Sequence, residues 1–293
     1  MATTAIDRKI AAPEKEYAIR SHPYGLYACP RCKGALEPRP GSLCCAACAV
    51  SYPILDGLAD FIERDLKNSS SHDLRYIAKR DGSHLLDVLA SSYETYLYPP
   101  VCNLYGGWHS TSLPELARDI SDIVGPTTGV ILDVACGPGT YGRRMASTSR
   151  AIYGIDISLS MLRQGARYVE RDGLPNVRFA RAMVEALPFP SGLFDAAICA
   201  GSLNHFPDTV LALREIHRTM KAGAPLAVMC FVTSNRGLLK HKFMRDRVER
   251  NGGHVFALPD LERYVAEAGF EGLHHRLYGA IVVLSARKKA AET

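Results

Sequence analysis

Two pairs of cysteines near the amino end of the sequence are spaced to bind a metal. Cys29 and Cys32 form one Cys-x-x-Cys pair and Cys45 and Cys48 form the other, with twelve residues between the pairs. Four thiolates in this pattern suit tetrahedral Zn²⁺, although the spacer is shorter than that of most zinc ribbons. Four cysteines leave no coordination position for water or substrate, so we expect a structural zinc. Cys44 is an alternative ligand to its neighbour Cys45.

A glycine-rich loop forms the second candidate site. Gly137, Gly139 and Gly142 follow an apolar segment with the G-x-G-x-x-G spacing, and Asp156 lies 19 residues after the first of them. Glycines suit a sharp turn in which the backbone approaches a ligand closely. An acid at the end of the next strand can accept both ribose hydroxyls of an adenosine. The spacing therefore predicts that the loop binds a cofactor that contains a nucleoside.

Asp133, four residues before Gly137, distinguishes two classes of cofactor by its charge. A pyrophosphate is anionic and favours bare backbone N–H groups, so a neighbouring carboxylate would oppose a dinucleotide. S-adenosylmethionine carries an ammonium and a sulfonium, which a carboxylate attracts directly or through water. Asp133 therefore favours S-adenosylmethionine. The alternative is that Asp133 only caps the following turn and that the loop binds nothing.

Five segments together resemble the class I S-adenosylmethionine-dependent methyltransferases. They are residues 133–140, 154–158, 185–190, 203–208 and 213–218. The last two resemble the ubiquinone and menaquinone biosynthesis branch, which methylates small molecules. The resemblance covers residues 113 to 287, and its motifs are specific as a set. It implies a doubly wound, Rossmann-like α/β sheet of seven strands and a small-molecule methyl acceptor.

The resemblance also implies which residues would surround the cofactor. They are Asp133, Ala135, Gly137, Gly139, Asp156, Ile157, Met161, Met183, Val184 and Gly201. Asp156 would hold the ribose, and Gly201 and Ser202 would line the cleft near the methyl group. This sequence has Met183 where the family usually has an acid that accepts from the adenine amino group. Adenine would then be held by backbone groups near Met183 and Val184, or its pocket would be looser.

Residues 52–57, after the second cysteine pair, carry a further resemblance. They resemble the small zinc-ribbon domain of tRNA-methyltransferase activator proteins, which also occurs fused to bacterial methyltransferases. The resemblance implies a small zinc ribbon on the amino-terminal side of the methyltransferase sheet.

His205, after the predicted fourth strand, is the candidate general base. Methyl transfer from a sulfonium is an in-line displacement, so a base is needed only if the acceptor must lose a proton. Local packing is the alternative role for His205. Other aromatic and histidine side chains are candidates for a lid over the substrate: Tyr93, Tyr96, Tyr98, Trp108, His109 and His254.

Short apolar runs alternate with helical patterns after residue 113. Strands are predicted over residues 130–135, 151–155, 177–180, 196–200 and 226–232, and helices over residues 159–171 and 209–220. This alternation indicates a parallel sheet covered by helices on both faces. Residues 272–277 and 281–286 are predicted to pair as an antiparallel edge. A further helix is predicted over residues 73–90.

These patterns divide the sequence into four parts. We expect a mobile tail over residues 1–22, a zinc-ribbon module over 23–63, a helical and aromatic connector and lid over 64–112, and the methyltransferase domain over 113–293. The net charge of +5 is spread over short patches, so a nucleic-acid partner is not indicated. The sequence contains no run of about 18 apolar residues, so it predicts no membrane span. The cysteine usage fits a reducing cytoplasm, and a homo-oligomer is compatible with the sequence.

Three other functions fit parts of the sequence. An RNA methyltransferase would use the zinc module for docking, but residues 201–207 replace the Asp/Asn-Pro-Pro-Tyr/Phe tetrapeptide typical of methylation at base amino groups. A protein that binds a partner without catalysis would explain Met183. The cofactor could also serve a reaction other than methylation, because a fold does not fix a reaction.

Overall fold

The computed structural model describes residues 24–62, 92, 94, 96, 98–106, 111–126, 129–235, 237–250 and 252–290. The predicted amino-terminal tail and the helix predicted over residues 73–90 lie outside these ranges. Tyr93, Trp108 and His109, three of the predicted lid residues, lie outside them as well.

The described residues form eleven strands and six α-helices. The strands are β1 (Glu37–Arg39), β2 (Ser42–Cys45), β3 (Val50–Leu55), β4 (Leu58–Asp60), β5 (Val130–Val134), β6 (Ala151–Asp156), β7 (Val177–Arg181), β8 (Ala196–Ala200), β9 (Pro225–Phe231), β10 (Phe270–Tyr278) and β11 (Ile281–Lys288). The helices are α1 (Tyr98–Gly106), α2 (Leu113–Val124), α3 (Leu159–Asp172), α4 (Thr209–Thr219), α5 (Lys242–Arg250) and α6 (Leu258–Glu267). The predicted strands after residue 113 and the helices α3 and α4 are confirmed.

All of these strands belong to one sheet, with the order β1-β2-β3-β4-β7-β6-β5-β8-β9-β11-β10. The strands β5 to β9 pair in parallel. The strand β11 pairs antiparallel with both β9 and β10, which confirms the predicted antiparallel edge. After β5 the chain forms β6 on one side of β5, and it later returns to form β8 on the other side of β5. In open α/β sheets, ligands bind beyond the carboxyl ends of the strands at such a reversal.

The prediction of a seven-stranded sheet is wrong, because four strands from the cysteine-rich segment extend it. The strand β4 pairs in parallel with β7 and places Ala59 opposite Ala180 and Asp60 opposite Arg181. Without β4, the strand β7 would present a row of unpaired N–H and C=O groups at the edge of the sheet. The strands β1 to β3 continue from β4 in antiparallel pairs. We call residues 24–62 the cysteine module.

The central strands are buried on both faces, which is why they read as continuous apolar runs. In β5, Val130 and Leu132 pack into the layer that contains α4 and α6. Ile131 points to the opposite face and packs with α2 and α3. The cysteine module joins the first layer through an aromatic cluster in which Tyr27 contacts the rings of Phe61 and Phe189. The strands β5, β6 and β8, whose carboxyl ends border the loop, are therefore supported by packed side chains on both faces of the sheet.

Candidate active site

The glycine loop begins directly after β5 in an unusual backbone conformation. Ala135, Gly137 and Gly139 have φ angles of 49°, 55° and 78°. These angles lie in the left-handed region that glycine adopts most easily. A Cβ atom on Gly139 would come within 2.8 Å of the ring of Phe179, a residue of β7. The close approach of the loop to this ring therefore also requires glycine at this position. A Cβ atom on Gly137 would meet no atom within 4 Å, because this part of the loop faces open space.

The carboxylate of Asp156 connects the glycine loop to the second strand. Its Oδ2 accepts a hydrogen bond from the Gly137 N–H at 2.8 Å, and its Oδ1 accepts one from the Ser158 N–H at 2.8 Å. Ser158 in turn caps α3 by accepting from the Met161 N–H. Asp156 also lines the cleft above the loop. A carboxylate has about four acceptor positions, so a ligand hydroxyl can donate to the same group.

Asp133 lies beneath the loop with only 2% of its surface exposed. Its Oδ2 accepts a hydrogen bond from the Gly142 N–H at 3.0 Å. Burial is the main reason that the pKa of Asp133 rises to about 7; the Gly142 N–H lowers this pKa, and the Asp156 charge raises it. Among the described residues, Asp133 is absent from the cleft lining. The contact that Asp133 makes is therefore with the turn at Gly142, and its predicted attraction for a cofactor stays a prediction.

A cleft lies above the carboxyl ends of β5, β6 and β7, and the space between its lining residues is about 440 Å³ when the part open to solvent is included. Six of the predicted site residues line it: Ala135, Asp156, Ile157, Met183, Val184 and His205. Ser202, which the resemblance also places near the methyl group, lines it as well. The sequence analysis did not assign a role to four others that line it: Ile155, Ala182, Glu185 and Phe206. Glu185 places a second carboxylate in this cleft, two residues after the methionine that replaces the expected acid.

Besides Asp133, four predicted cofactor residues lie outside the cleft lining: Gly137, Gly139, Met161 and Gly201. Gly139 is a buried residue of the loop, and Met161 is buried in the first turn of α3 with 5% exposure. Gly201 directly follows β8 with a φ of 85°, and its N–H donates to the Met229 carbonyl at 2.7 Å. The Tyr98 hydroxyl lies 3.2 Å from the position that a Cβ atom would take on Gly201. The backbone at Gly201 is therefore packed against an aromatic side chain.

His205 lies in a short 3-10 turn that two side chains hold in place. The Ser202 hydroxyl donates to the Ala135 carbonyl at 3.1 Å and ties this turn to the glycine loop. The Asn204 side chain is 3% exposed. It donates to the carbonyls of Phe231 and His254 at 2.8 and 2.6 Å, and it accepts from the Phe231 N–H at 2.7 Å. The sequence analysis did not predict a role for Asn204. The only signal for such a role in the sequence was its position beside His205.

The remaining lid candidates are placed differently from one another. Tyr98 is 8% exposed, and its hydroxyl lies 2.8 Å from the hydroxyl of Tyr141, which belongs to the glycine loop. Tyr96 is 72% exposed. His254 is exposed and lines a neighbouring cleft together with Phe256 and Tyr264. Only Tyr98 among these three is packed against the candidate active site.

The cysteine module brings the four predicted metal ligands together. The Sγ atoms of Cys29, Cys32, Cys45 and Cys48 all lie within 4.8 Å of one another. Tetrahedral zinc with Zn–S bonds of about 2.3 Å holds its sulfurs about 3.8 Å apart, so this set fits the metal. The Sγ of Cys44 instead lies 3.4 Å from the Ser51 hydroxyl. Successive side chains of a strand point to opposite faces, which places Cys45 rather than Cys44 in the cluster.

Residues 131–223 match the family described as "Methyltransferase domain". These residues form a methyltransferase domain. This methyltransferase domain contains the glycine loop, Asp156 and His205, so the predicted class is confirmed for this part of the chain. Demethylmenaquinone methyltransferase from Geobacillus kaustophilus is 34% identical to this chain over 106 residues, which cover 35% of this chain and 44% of that protein. The chain thus spans less than half the length of that relative.

Solved structures share the fold of the methyltransferase domain. Phosphoethanolamine N-methyltransferase 2 from Haemonchus contortus, in complex with S-adenosyl-L-methionine, superposes with a TM-score of 0.61 at 16% identity and covers 76% of this chain and 61% of that chain. The [4+2]-cyclase SpnF superposes with a TM-score of 0.57 at 22% identity and covers 72% of this chain and 96% of that chain. At these identities the likeness concerns the fold alone. Among the described helices, none is long and apolar enough to cross a membrane.

Proposed function

We propose that this protein is an S-adenosylmethionine-dependent methyltransferase that acts on a small-molecule acceptor. The observation that carries the proposal is the double role of Asp156. Its carboxylate fixes the backbone of Gly137 and at the same time lines the cleft, where it can accept the hydroxyls of a ribose. This arrangement lies at the point of the sheet where nucleoside cofactors bind in open α/β folds.

The charges of the cleft favour a cationic cofactor over a dinucleotide. Asp156 and Glu185 line the cleft, and the described lining residues include no lysine or arginine. A pyrophosphate would lie among carboxylates without a cationic side chain to offset them. The ammonium and sulfonium of S-adenosylmethionine are attracted by the same groups.

The residues present fit S-adenosylmethionine at this site. The open space at Gly137 accommodates the methionine part, and Ala135 and Gly139 shape the loop around it. Ile157 provides apolar surface for adenine in the cleft, and backbone groups at Met183 and Val184 would hold its polar edge. When bound, this cofactor supplies an electrophilic methyl group. Gly201 and Ser202 would border the space in which the acceptor approaches it.

His205 is the proposed general base for an acceptor that must lose a proton. It lines the cleft opposite Asp156, and the bonds of Asn204 and Ser202 fix the turn that carries it. A neutral imidazole there can accept a proton from a hydroxyl or amine of the acceptor. The proton would leave the acceptor atom as that atom forms its bond to the methyl carbon.

The names of similar proteins support a small acceptor. The Geobacillus relative is a demethylmenaquinone methyltransferase, and the Haemonchus fold neighbour is a phosphoethanolamine N-methyltransferase. Quinols and small amines are therefore the first acceptors to test. SpnF has the same fold and is a cyclase, so formation of S-adenosylhomocysteine must be measured as the product.

We also propose that the cysteine cluster binds a structural Zn²⁺. Four thiolates occupy all four positions of a tetrahedral site, which leaves none for a substrate. Lys33 and Ala49, one residue after each pair, have positive φ angles of 59° and 50° and reverse the chain there. The module is too small to form a large core of its own, so a bound metal would stabilise its fold.

Thermal unfolding with three ligands tests the proposed function. S-adenosylmethionine and S-adenosylhomocysteine are expected to raise the melting temperature of the purified protein, because both would bind only the folded state. NAD⁺ is expected to leave it unchanged, since the cleft has no cationic group for the pyrophosphate. Stabilisation by NAD⁺ alone would replace the methyltransferase proposal with a dinucleotide-binding one.

A further inference from the structure

A buried ion pair connects the cysteine module to the methyltransferase domain. Asp60 at the end of β4 and Arg181 at the end of β7 are 1% and 2% exposed, and their charged atoms lie 3.3 Å apart. These two residues are also paired in the β4–β7 ladder. The Asp60 carboxylate additionally accepts from the Ile62 N–H at 3.0 Å. Charges buried to this degree are costly unless they are paired and hydrogen-bonded, so the two residues depend on each other.

The guanidinium of Arg181 extends this pair to the cofactor cleft. Its Nε donates to the carbonyl oxygen of Ile157 at 2.7 Å. Ile157 follows Asp156 directly, and both residues line the cleft. The backbone after Arg181 adds a second tie, because the Ala182 N–H donates to the Asp156 carbonyl at 3.2 Å. Arg181 therefore fixes the turn between Asp156 and Ser158, which presents the proposed ribose ligand.

The position of Asp60 depends in turn on the cysteine cluster. The hydroxyl of Tyr52, a 2% exposed residue of β3, lies 3.4 Å from the Sγ of Cys29. The ring of Tyr52 packs against that of Phe61 with 5.1 Å between the ring centroids. Phe61 follows Asp60 directly, and its N–H donates to the Arg181 carbonyl at 2.7 Å. Packed residues thus connect the metal ligands to the ion pair and to the cleft.

We propose that Arg181 is a positioning residue of the cofactor site, that Asp60 of the cysteine module is its counter-charge, and that metal loading of the cysteines therefore controls cofactor affinity. This inference rests on the proposed function. Without metal, the small module loses the bonds that order it, and Asp60 no longer offsets Arg181. An uncompensated guanidinium seeks water, and the Ile157 turn loses its donor.

Substitutions at the pair separate positioning from simple stabilisation. The double variant Asp60→Leu with Arg181→Met replaces the ion pair by apolar groups, a change that often preserves or raises the stability of a protein. It also removes the donor to Ile157. Arg181→Lys keeps the charge but cannot serve Asp60 and Ile157 together, because lysine lacks the planar fork. The matched control is Asp56→Asn, which breaks the exposed pair between Arg163 and Asp56 that also joins the module to α3.

The experiment is calorimetric titration of each folded, metal-analysed variant with S-adenosylhomocysteine. We expect affinity to fall about tenfold or more, equivalent to at least about 1.4 kcal/mol, in the double variant and in Arg181→Lys, with unchanged metal content. The control is expected to remain within twofold of the wild-type protein. Removal of the metal by a chelator is expected to weaken the binding of S-adenosylhomocysteine by the wild-type protein to a similar extent. The same treatment is expected to weaken binding by the double variant by less than twofold.

Two results would overturn the inference. A folded double variant that binds S-adenosylhomocysteine as tightly as the wild-type protein would show that Arg181 does not position the site. Full affinity in the metal-free wild-type protein would show that the cysteines do not control it. Failure of the metal-loaded wild-type protein to bind at all would instead contradict the proposed function.

Discussion

Asp156 accepts a hydrogen bond from the backbone N–H of Gly137 at 2.8 Å, across the ends of two neighbouring strands. The glycine loop and the acid after the second strand are therefore one structural unit. A ligand that donates to Asp156 also meets a loop whose backbone that carboxylate has already ordered. Binding then requires little rearrangement of the loop, which lowers the entropic cost of association.

Asp133 is expected to make the stability of the ligand-free protein depend on pH. Its folded pKa of about 7 exceeds the value of 3.8 for an ordinary carboxyl. The folded state then binds more protons than the unfolded state between these two values, so the free energy of unfolding falls as pH rises. One such group gives a slope of about 1.4 kcal/mol per pH unit near pH 5, which falls to about half of that value at pH 7. Denaturant unfolding of the wild-type protein and Asp133→Asn measures the difference.

The variant is the control for every other group that titrates in this range, such as His217, whose pKa burial lowers. The stability of Asp133→Asn relative to the wild-type protein should increase from pH 5 to pH 7 and level off above it. A constant difference over this range would contradict the buried, proton-binding state of Asp133.

Met183→Asp is expected to strengthen cofactor binding. Met183 lines the cleft. The resemblance described above implies an acid at this position for the adenine amino group. A new hydrogen bond of this kind contributes about 0.5–1.5 kcal/mol, which corresponds to an increase of about 2- to 10-fold in affinity. Calorimetry with S-adenosylhomocysteine measures the effect, and Met183→Asn provides an uncharged control of similar size. Weaker binding by the aspartate variant than by the asparagine variant would argue that adenine lies elsewhere.

Cys45→Ser is expected to abolish stoichiometric zinc binding, whereas Cys44→Ser should retain one zinc per chain. The two residues are adjacent, but only the Sγ of Cys45 belongs to the four-sulfur cluster. Loss of one thiolate from a tetrahedral structural site removes a large part of its binding free energy. Elemental analysis of the purified variants measures the metal content. Equal zinc content in both variants would contradict the assignment of Cys45.

His205→Asn is expected to lower the turnover of a hydroxyl or amine acceptor by about 10²- to 10⁴-fold, the usual contribution of a general base. Its affinity for S-adenosylhomocysteine should change by less than about twofold, because the turn is held by Asn204 and Ser202. Formation of S-adenosylhomocysteine with the acceptor found by screening measures turnover. His254→Asn is the control, since His254 lines the neighbouring cleft. Equal turnover in both variants would restrict His205 to a packing role.

Local patterns predicted the loop, Asp156 and the metal cluster because each is encoded over a short stretch of sequence. The parallel strands were predictable for the same reason, since their burial leaves a continuous apolar run. The pairing of β4 with β7 was not predictable from local patterns, because it joins segments about 120 residues apart and depends only on which edge of the sheet remains open. The contacts of Asn204 and the Asp60–Arg181 ion pair were not predictable for the same reason, because they also join residues that are far apart in the sequence. A single polar residue carries no periodic signal that would reveal a distant partner.

The central claim is that Asp156 and the glycine loop form a site for S-adenosylmethionine, and calorimetric titration tests it most directly. The zinc-analysed protein, Asp156→Ala and Asp195→Ala would be titrated with S-adenosylmethionine and S-adenosylhomocysteine. Asp195 is a matched control because its carboxylate accepts from the Val130 N–H at the opposite end of β5. We predict micromolar binding by the wild-type protein and Asp195→Ala, and a loss of at least about tenfold in Asp156→Ala. Absence of binding by the folded, zinc-loaded wild-type protein would contradict the claim.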